Sequence, residues 1–159
     1  MNDLVEYVAK IGEELTSDGM YPNSAAIHVH VEGAPRDLKP MVRDEVCRIA
    51  GEALRNAFWH AQAHQIVVEI LYDERQFRLR VRDDGKGIDE QAVRRQPRSG
   101  HFGLYGMRER AEIVSGRLDI WTKLDAGTEV ELSIPAAIAY ASSPRPSWLS
   151  QVFSGKASG

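Results

Sequence analysis

Four short stretches of the 159-residue chain carry residue types at spacings that can do chemistry. In Glu52-Ala53-Leu54-Arg55-Asn56-Ala57-Phe58-Trp59-His60-Ala61, the polar residues Glu52, Asn56 and His60 follow at i, i+4 and i+8. A helix puts these three on one face, so a carboxylate, an amide and an imidazole line up opposite an apolar stripe. An ordinary solvated helix face carries the same residue types. The second stretch, Asp83-Asp84-Gly85-Lys86-Gly87-Ile88, combines carboxylates with glycines that let backbone approach a ligand closely. Asp-Gly is also a plain turn signal. The third, Gly100-His101-Phe102-Gly103-Leu104-Tyr105-Gly106-Met107-Arg108-Glu109-Arg110-Ala111, runs glycines into a helix start, where free N–H groups and the positive dipole end attract an anion. The fourth, Gly127-Thr128, reads alone as a turn entering a strand.

Several familiar chemistries are excluded. An EF-hand centred on Asp84-Gly85 would put Arg80 and Arg82 where calcium carboxylates belong. A dinucleotide fingerprint fails at Glu90, where a third glycine is required, and no GxxxxGK[ST] occurs. His60 and His64 lack the intervening glutamate of a zinc-protease helix, since Gln62 stands there. One cysteine, Cys47, rules out an internal disulfide framework or a cysteine-built zinc cage.

The elements that must position these stretches follow from periodicity. Leu4, Val8, Ile11 and Leu15 predict an amphipathic helix over Asp3–Ser17. Ile27, Val29 and Val31 alternate with His28 and His30, a half-buried strand with its histidines in water. Val42, Val46, Ile49, Ala50, Ala53, Leu54, Ala57 and Ala61 make the broad stripe of a long helix. Gln65–Tyr72 and the alternation of Phe77, Leu79 and Val81 with Arg78, Arg80 and Arg82 predict an antiparallel hairpin. A long aperiodic loop follows, then a helix over 104–115, then strands over 118–124 and 128–134 turning at Asp125-Ala126-Gly127. The order predicts an α+β two-layer α/β sandwich, a mixed and mostly antiparallel sheet with helices on one face.

Composition narrows the partners. Hydrophobic residues are 43% and charged residues 27%, enough for a real core, and the net charge of -3 does not suit a nucleic-acid binder. No apolar run reaches the roughly 20 residues a membrane span needs, so no direct membrane contact is expected. Between Arg75 and Arg110, however, ten Lys or Arg stand against five Asp or Glu. This predicts a basic segment around an anionic ligand.

Taken together, the order of the four stretches resembles the N, G1, G2 and GT motifs of the Bergerat-type (GHKL) ATP-binding fold. It is most similar to the catalytic ATP-binding domain of bacterial two-component sensor histidine kinases. Glu52-x-x-x-Asn56 and the run from Gly103 to Ala111 resemble the nitrate-sensor-type subfamily. The resemblance covers about 40–135 and implies ATP and Mg²⁺ as ligands. It implies Asp83 on the exocyclic amine of adenine, with Gly85, Lys86, Gly87, Ile88 and Thr128 completing the base site. It implies Asn56 as the magnesium ligand and Glu52 as the catalytic carboxylate. Gly103, Leu104, Tyr105, Gly106 and Arg108 would meet the phosphates beneath a lid over 89–102. Family members often carry Lys or Arg three places after the asparagine, where this chain has Trp59. Lys86, Arg98, Arg108 and His101 are the substitutes to consider.

The resemblance divides the chain into a helix and linker (1–24) ending an upstream dimerisation region, an ATP-binding domain (25–135) and an Ala/Ser/Pro-rich tail (136–159). None of the five histidines resembles the phosphoacceptor motif. The expectation is a cytoplasmic, monomeric catalytic fragment that serves a histidine-bearing dimerisation domain of the same kinase, and through it a response regulator with a helix-turn-helix output domain. A sigma-factor-binding serine kinase and a nucleotide-gated interaction module are the alternatives within the fold.

Overall fold

The computed structural model describes residues 3–17, 25–59, 62–88 and 104–141. Its elements run α1 (Asp3–Ser17), β1 (Ala26–Glu32), α2 (Pro40–Trp59), β2 (Gln65–Tyr72), β3 (Gln76–Asp83), α3 (Leu104–Ile113), β4 (Arg117–Lys123), β5 (Gly127–Pro135) and α4 (Ala136–Ala139). The five strands form one sheet in the order β1-β2-β3-β5-β4. β1 pairs with β2 in parallel, with α2 as the crossover, and the other three pairings are antiparallel. This is the mixed α+β sandwich the sequence predicts.

Alternation along each strand decides the layers. Ile66, Val68 and Ile70, Phe77, Leu79 and Val81, and Val130, Leu132 and Ile134 are all buried beneath the helices. α2 answers with Val42, Val46, Ile49, Ala50, Ala53, Leu54 and Ala57, every one buried. α1 adds Leu4 and Val8 to the same core. Gly12 of α1 sits so close to the sheet that a Cβ there would come 2.8 Å from Ile27 Cδ1.

The face away from the helices is charged. Arg80 donates to Glu69 at 2.8 Å from one side and to Glu131 at 2.9 Å through Nε and Nη2 from the other. Glu129 is 3.7 Å away, Arg78 reaches Glu131 at 3.6 Å, and Arg82 lies 3.9 Å from Glu69. The register sets this out, since Glu69 faces Arg80 and Arg80 faces Glu131 across adjacent strands. His28 and His30 are exposed, as the alternation of β1 requires.

α2 begins at Pro40, suited to the first helical turn, and Lys39 accepts the Arg43 N–H at 2.9 Å. The chain leaves α2 through Gln62 at φ 51°, and the Ala63 N–H returns to the Ala57 carbonyl at 3.2 Å. The structure corrects the tail expected from 136 onward. α4 packs Ala139 and Tyr140 into the core, and the Tyr140 hydroxyl donates to the Asp73 carbonyl at 2.8 Å. Alanine-rich sequence after a proline reads as a tail, but here residues 136–140 pack against the turn of the β2–β3 hairpin. The expected lid (89–102), Gly103, His60, His101, Arg98 and residues 142–159 lie outside the described residues.

Candidate functional site

Where α2, β3, β5 and the start of α3 converge, the two layers leave a cleft of about 360 Å³ counted out to its mouth. Its lining is Ala53, Asn56, Val81, Asp83, Ile88, Leu104, Thr128 and Val130. One polar group comes from each contributing region: Asn56 from α2, Asp83 from the end of β3, and Thr128 from the start of β5. The rest is apolar wall.

Asp83 and Thr128 face each other in the β3–β5 register. Asp83 Oδ1 accepts the Gly85 N–H at 2.8 Å, and the Thr128 N–H also donates to this carboxylate. Burial pushes the Asp83 pKa up, the two N–H donors oppose that, and the neighbouring Asp84 charge adds to it. Asp84 has the opposite environment. Its Oδ1 accepts the N–H groups of Gln65 at 2.9 Å and His64 at 2.8 Å, which hold its pKa down. Adjacent strand residues point to opposite sides, so one aspartate enters the cleft and the next pins β3 to the start of β2.

The rim of the cleft is stitched to the β4–β5 hairpin. Thr122 Oγ1 accepts the Ile88 N–H at 2.6 Å and lies 2.9 Å from Thr128 Oγ1. The Asp125 N–H donates to the Lys86 carbonyl at 2.6 Å. Gly87 adopts φ 71° and Gly127 φ 94°. A Cβ on Gly87 would strike the Lys123 carbonyl, and one on Gly127 would strike the Asp83 carbonyl. The protein's own backbone therefore already requires both glycines. An open hollow of about 590 Å³ lies beyond the same rim, bordered by Arg82, Trp121, Lys123 and Glu129.

Of the residues singled out from the sequence, Asn56, Asp83, Ile88, Leu104 and Thr128 meet around the cleft. Glu52 stands one turn before Asn56, half-buried, with Oε1 3.4 Å from Arg55 Nη2. Gly85 and Gly87 shape the rim, whereas Lys86 is exposed and offers it a carbonyl. A Cβ on Gly106 of α3 would meet no atom within 4 Å among the described residues. Tyr105 is exposed and paired with Glu109. Arg108 donates to the Leu118 carbonyl at 3.5 Å and does not line the cleft.

Part of the basic segment is strand surface. Arg78, Arg80 and Arg82 project from the opposite face of β3 into ion pairs, because strand alternation separates them from Val81 and Asp83, while Arg94, Arg95 and Arg98 lie outside the described residues. Arg110 likewise pairs with Glu45 of α2 at 3.2 Å. The sequence reading missed the walls Ala53, Val81 and Val130, and the linchpin Thr122. Inward positions by period two, and three residues before Asn56, would have found the walls. Thr122 had no signal beyond β propensity.

This arrangement, a half-buried carboxylate, a hydroxyl and an amide around an apolar cleft beside a helix start, suits a planar base joined to an anionic tail. Residues 41–138 match the family model of histidine kinase-, DNA gyrase B- and HSP90-like ATPases, and the chain belongs to this family. Among curated proteins, it is 34% identical over 125 residues to the nitrate/nitrite sensor protein NarX of Escherichia coli K12, a match covering 79% of this chain and 18% of NarX. The NarX protein of Shigella flexneri matches equally. The chain thus spans less than a fifth of the length of these relatives. Among solved structures, the histidine kinase domain of the Erythrobacter litoralis EL346 blue-light activated histidine kinase superposes with a TM-score of 0.63 at 25% identity, covering 84% of this chain and 65% of that one. A longer structure of that kinase gives 0.61 at 27% identity, covering 83% and 41%. The fold is that of a sensor-kinase-type ATPase domain.

Proposed function

We propose that the cleft binds Mg²⁺·ATP and that the chain donates the γ-phosphoryl group to a histidine on a dimerisation domain of the same kinase, for onward transfer to a response regulator. One observation carries this reading. Asp83, Asn56 and Thr128 converge from three separate segments on a single apolar cleft beside the start of α3.

The chemistry follows residue by residue. The Asp83 carboxylate accepts a hydrogen bond from the exocyclic amine of adenine, and would meet an oxygen instead in guanine. Val81, Val130, Ile88 and Ala53 offer apolar walls to the ring. Thr128, held through Thr122, supplies a hydroxyl beside Asp83. At the other end, the N–H groups at the start of α3 suit phosphate oxygens.

Among the described residues, no three His, Cys, Asp or Glu side chains gather as a metal cage. Mg²⁺ commonly takes one or two protein oxygens together with water and substrate phosphates, so the Asn56 amide oxygen fits it. Bound there, the metal would neutralise charge on the phosphates. Glu52, one turn from Asn56, orients the attacking group and takes up its proton. Catalysis is then positioning and charge neutralisation for in-line transfer, with the nucleophile supplied by another segment.

Calorimetric titration tests the site. Asp83→Asn should abolish ATP binding, and the wild-type chain should prefer ATP to GTP by more than about tenfold, since a mismatched buried acceptor costs at least about 1.4 kcal/mol. Unchanged affinity in Asp83→Asn overturns the assignment. Transfer of labelled phosphate to an added histidine-bearing helical hairpin tests the reaction, and binding without transfer would mark a nucleotide-gated interaction module instead.

A further inference from the structure

α1 reaches the proposed catalytic carboxylate through two side chains. Tyr7 of α1 and Arg55 of α2 converge over the bare backbone of Gly51, where a Cβ would come 3.1 Å from both the Tyr7 hydroxyl and Arg55 Nη2. Any side chain there would have to move one or both aside. The same Arg55 Nη2 is 3.4 Å from Glu52 Oε1. Helical pairs of this spacing, with side chains 30% and 39% exposed, hold loosely in water on their own. Here the guanidinium shares the space over Gly51 with the Tyr7 hydroxyl. The Tyr7 hydroxyl lies within the field of the Arg55 charge, and α1 is itself anchored by the buried Leu4 and Val8.

We propose that Arg55 is a positioning residue that couples α1 to Glu52: Tyr7 fixes the guanidinium over Gly51, and the guanidinium fixes the carboxylate one turn from Asn56. The proposal rests on the role given to Glu52 above. Tyr7, Gly51 and Arg55 line none of the nucleotide cleft. A displacement of α1 by a side chain's width therefore changes where Glu52 points while leaving nucleotide affinity intact. The partner that acts on this device is whatever moves α1.

A double-mutant cycle in the full chain tests it, using Tyr7→Phe, Arg55→Ala and the pair. The saturated rate of phosphoryl transfer from Mg·ATP to a separately supplied histidine-bearing hairpin is read beside ATP affinity by calorimetry. Arg55→Ala should slow the saturated rate by about tenfold with Kd unchanged, the pattern of a group acting only on the chemical step. Tyr7→Phe should slow it less, and the double variant should be no slower than Arg55→Ala alone, because both act along one path. Arg55→Lys should restore most of the rate. Additive losses, a loss that falls on Kd, or no rescue by lysine overturns the proposal. Glu52→Gln separates the two levels. A normal rate in that variant overturns the role of Glu52 and the coupling with it, whereas a slow rate alongside additive losses overturns the coupling alone.

Discussion

Asp83 and Asp84 are neighbours whose environments push them in opposite directions, and stability and binding should separate accordingly. The folded chain holds a proton on Asp83 more tightly than the unfolded chain does, because burial raises its pKa. Its ionised form therefore costs stability above the folded pKa, and the cost is relieved as pH falls through it. Asp83→Asn keeps an acceptor for the Gly85 and Thr128 N–H groups and removes the buried charge. The ligand-free variant should melt higher than wild type by calorimetry while losing ATP. ATP binding to the wild-type chain should weaken on acidification at a pH above that at which ordinary aspartates titrate, read as Kd against pH. Asp84 runs the other way. Hydrogen bonds from Gln65 and His64 lower its pKa, so its contribution is present above the unfolded pKa and lost as pH falls through the folded one. Asp84→Ala should cost about 1 kcal/mol, the net worth of such bonds at an exposed site, and lower Tm by about 2–4 °C. At this scale the sequence was informative through order rather than residue type. Asp83 ending a strand and Asn56 on a helix face each read alone as ordinary surface, and only the order of the four stretches singled them out. Thr122 was not singled out, because a threonine in a strand is what β propensity alone supplies.

The ladder on the outer face of β3 makes a prediction about an element. Arg80 holds Glu69, Glu129 and Glu131 together, so Arg80→Ala leaves three carboxylates facing one another. The loss should be about 2 kcal/mol, between the values for exposed and buried pairs. Denaturant midpoints should show that loss shrinking as salt rises, since screening weakens the remaining repulsion. The turn into β5 makes a second. Gly127→Ala forces a Cβ onto the Asp83 carbonyl at a left-handed φ, and should cost about 1–3 kcal/mol and weaken ATP binding together. Element boundaries were legible wherever period two or period 3.6 was clean, as in β2, β3 and α2. Counting charges along a chain does not tell which side of a strand each one leaves from, so the share of the basic segment that is strand surface (Arg78, Arg80, Arg82) needed the register. α4 was missed because four residues are too few to show a period, and its place is decided by Tyr140 docking on the turn at Asp73.

For the whole molecule, one core runs from Leu4 of α1 to Tyr140 after α4, so a ligand at the cleft should stabilise every element at once. ATP at about a hundred times its Kd should add about 2.7 kcal/mol to unfolding. The gain should appear as a single shifted transition in scanning calorimetry, and should vanish in Asp83→Asn. The strand order β1-β2-β3-β5-β4 could not be read from periodicity, since pairing β5 rather than β4 with β3 is a long-range choice. The resemblance to a known family implied the class of sheet without its register. The stitched rim, in which Ile88, Lys86 and Asp83 are tied to the β4–β5 hairpin through Thr122, Asp125 and Thr128, bears on the thermodynamics of recognition. A wall built before its guest arrives demands little ordering when the guest enters. Adenosine, with no phosphates at all, should therefore bind detectably, and its unfavourable entropy should be smaller than that of ATP. Purine-sized fragments have a ready-made foothold here, on a surface that need not be induced.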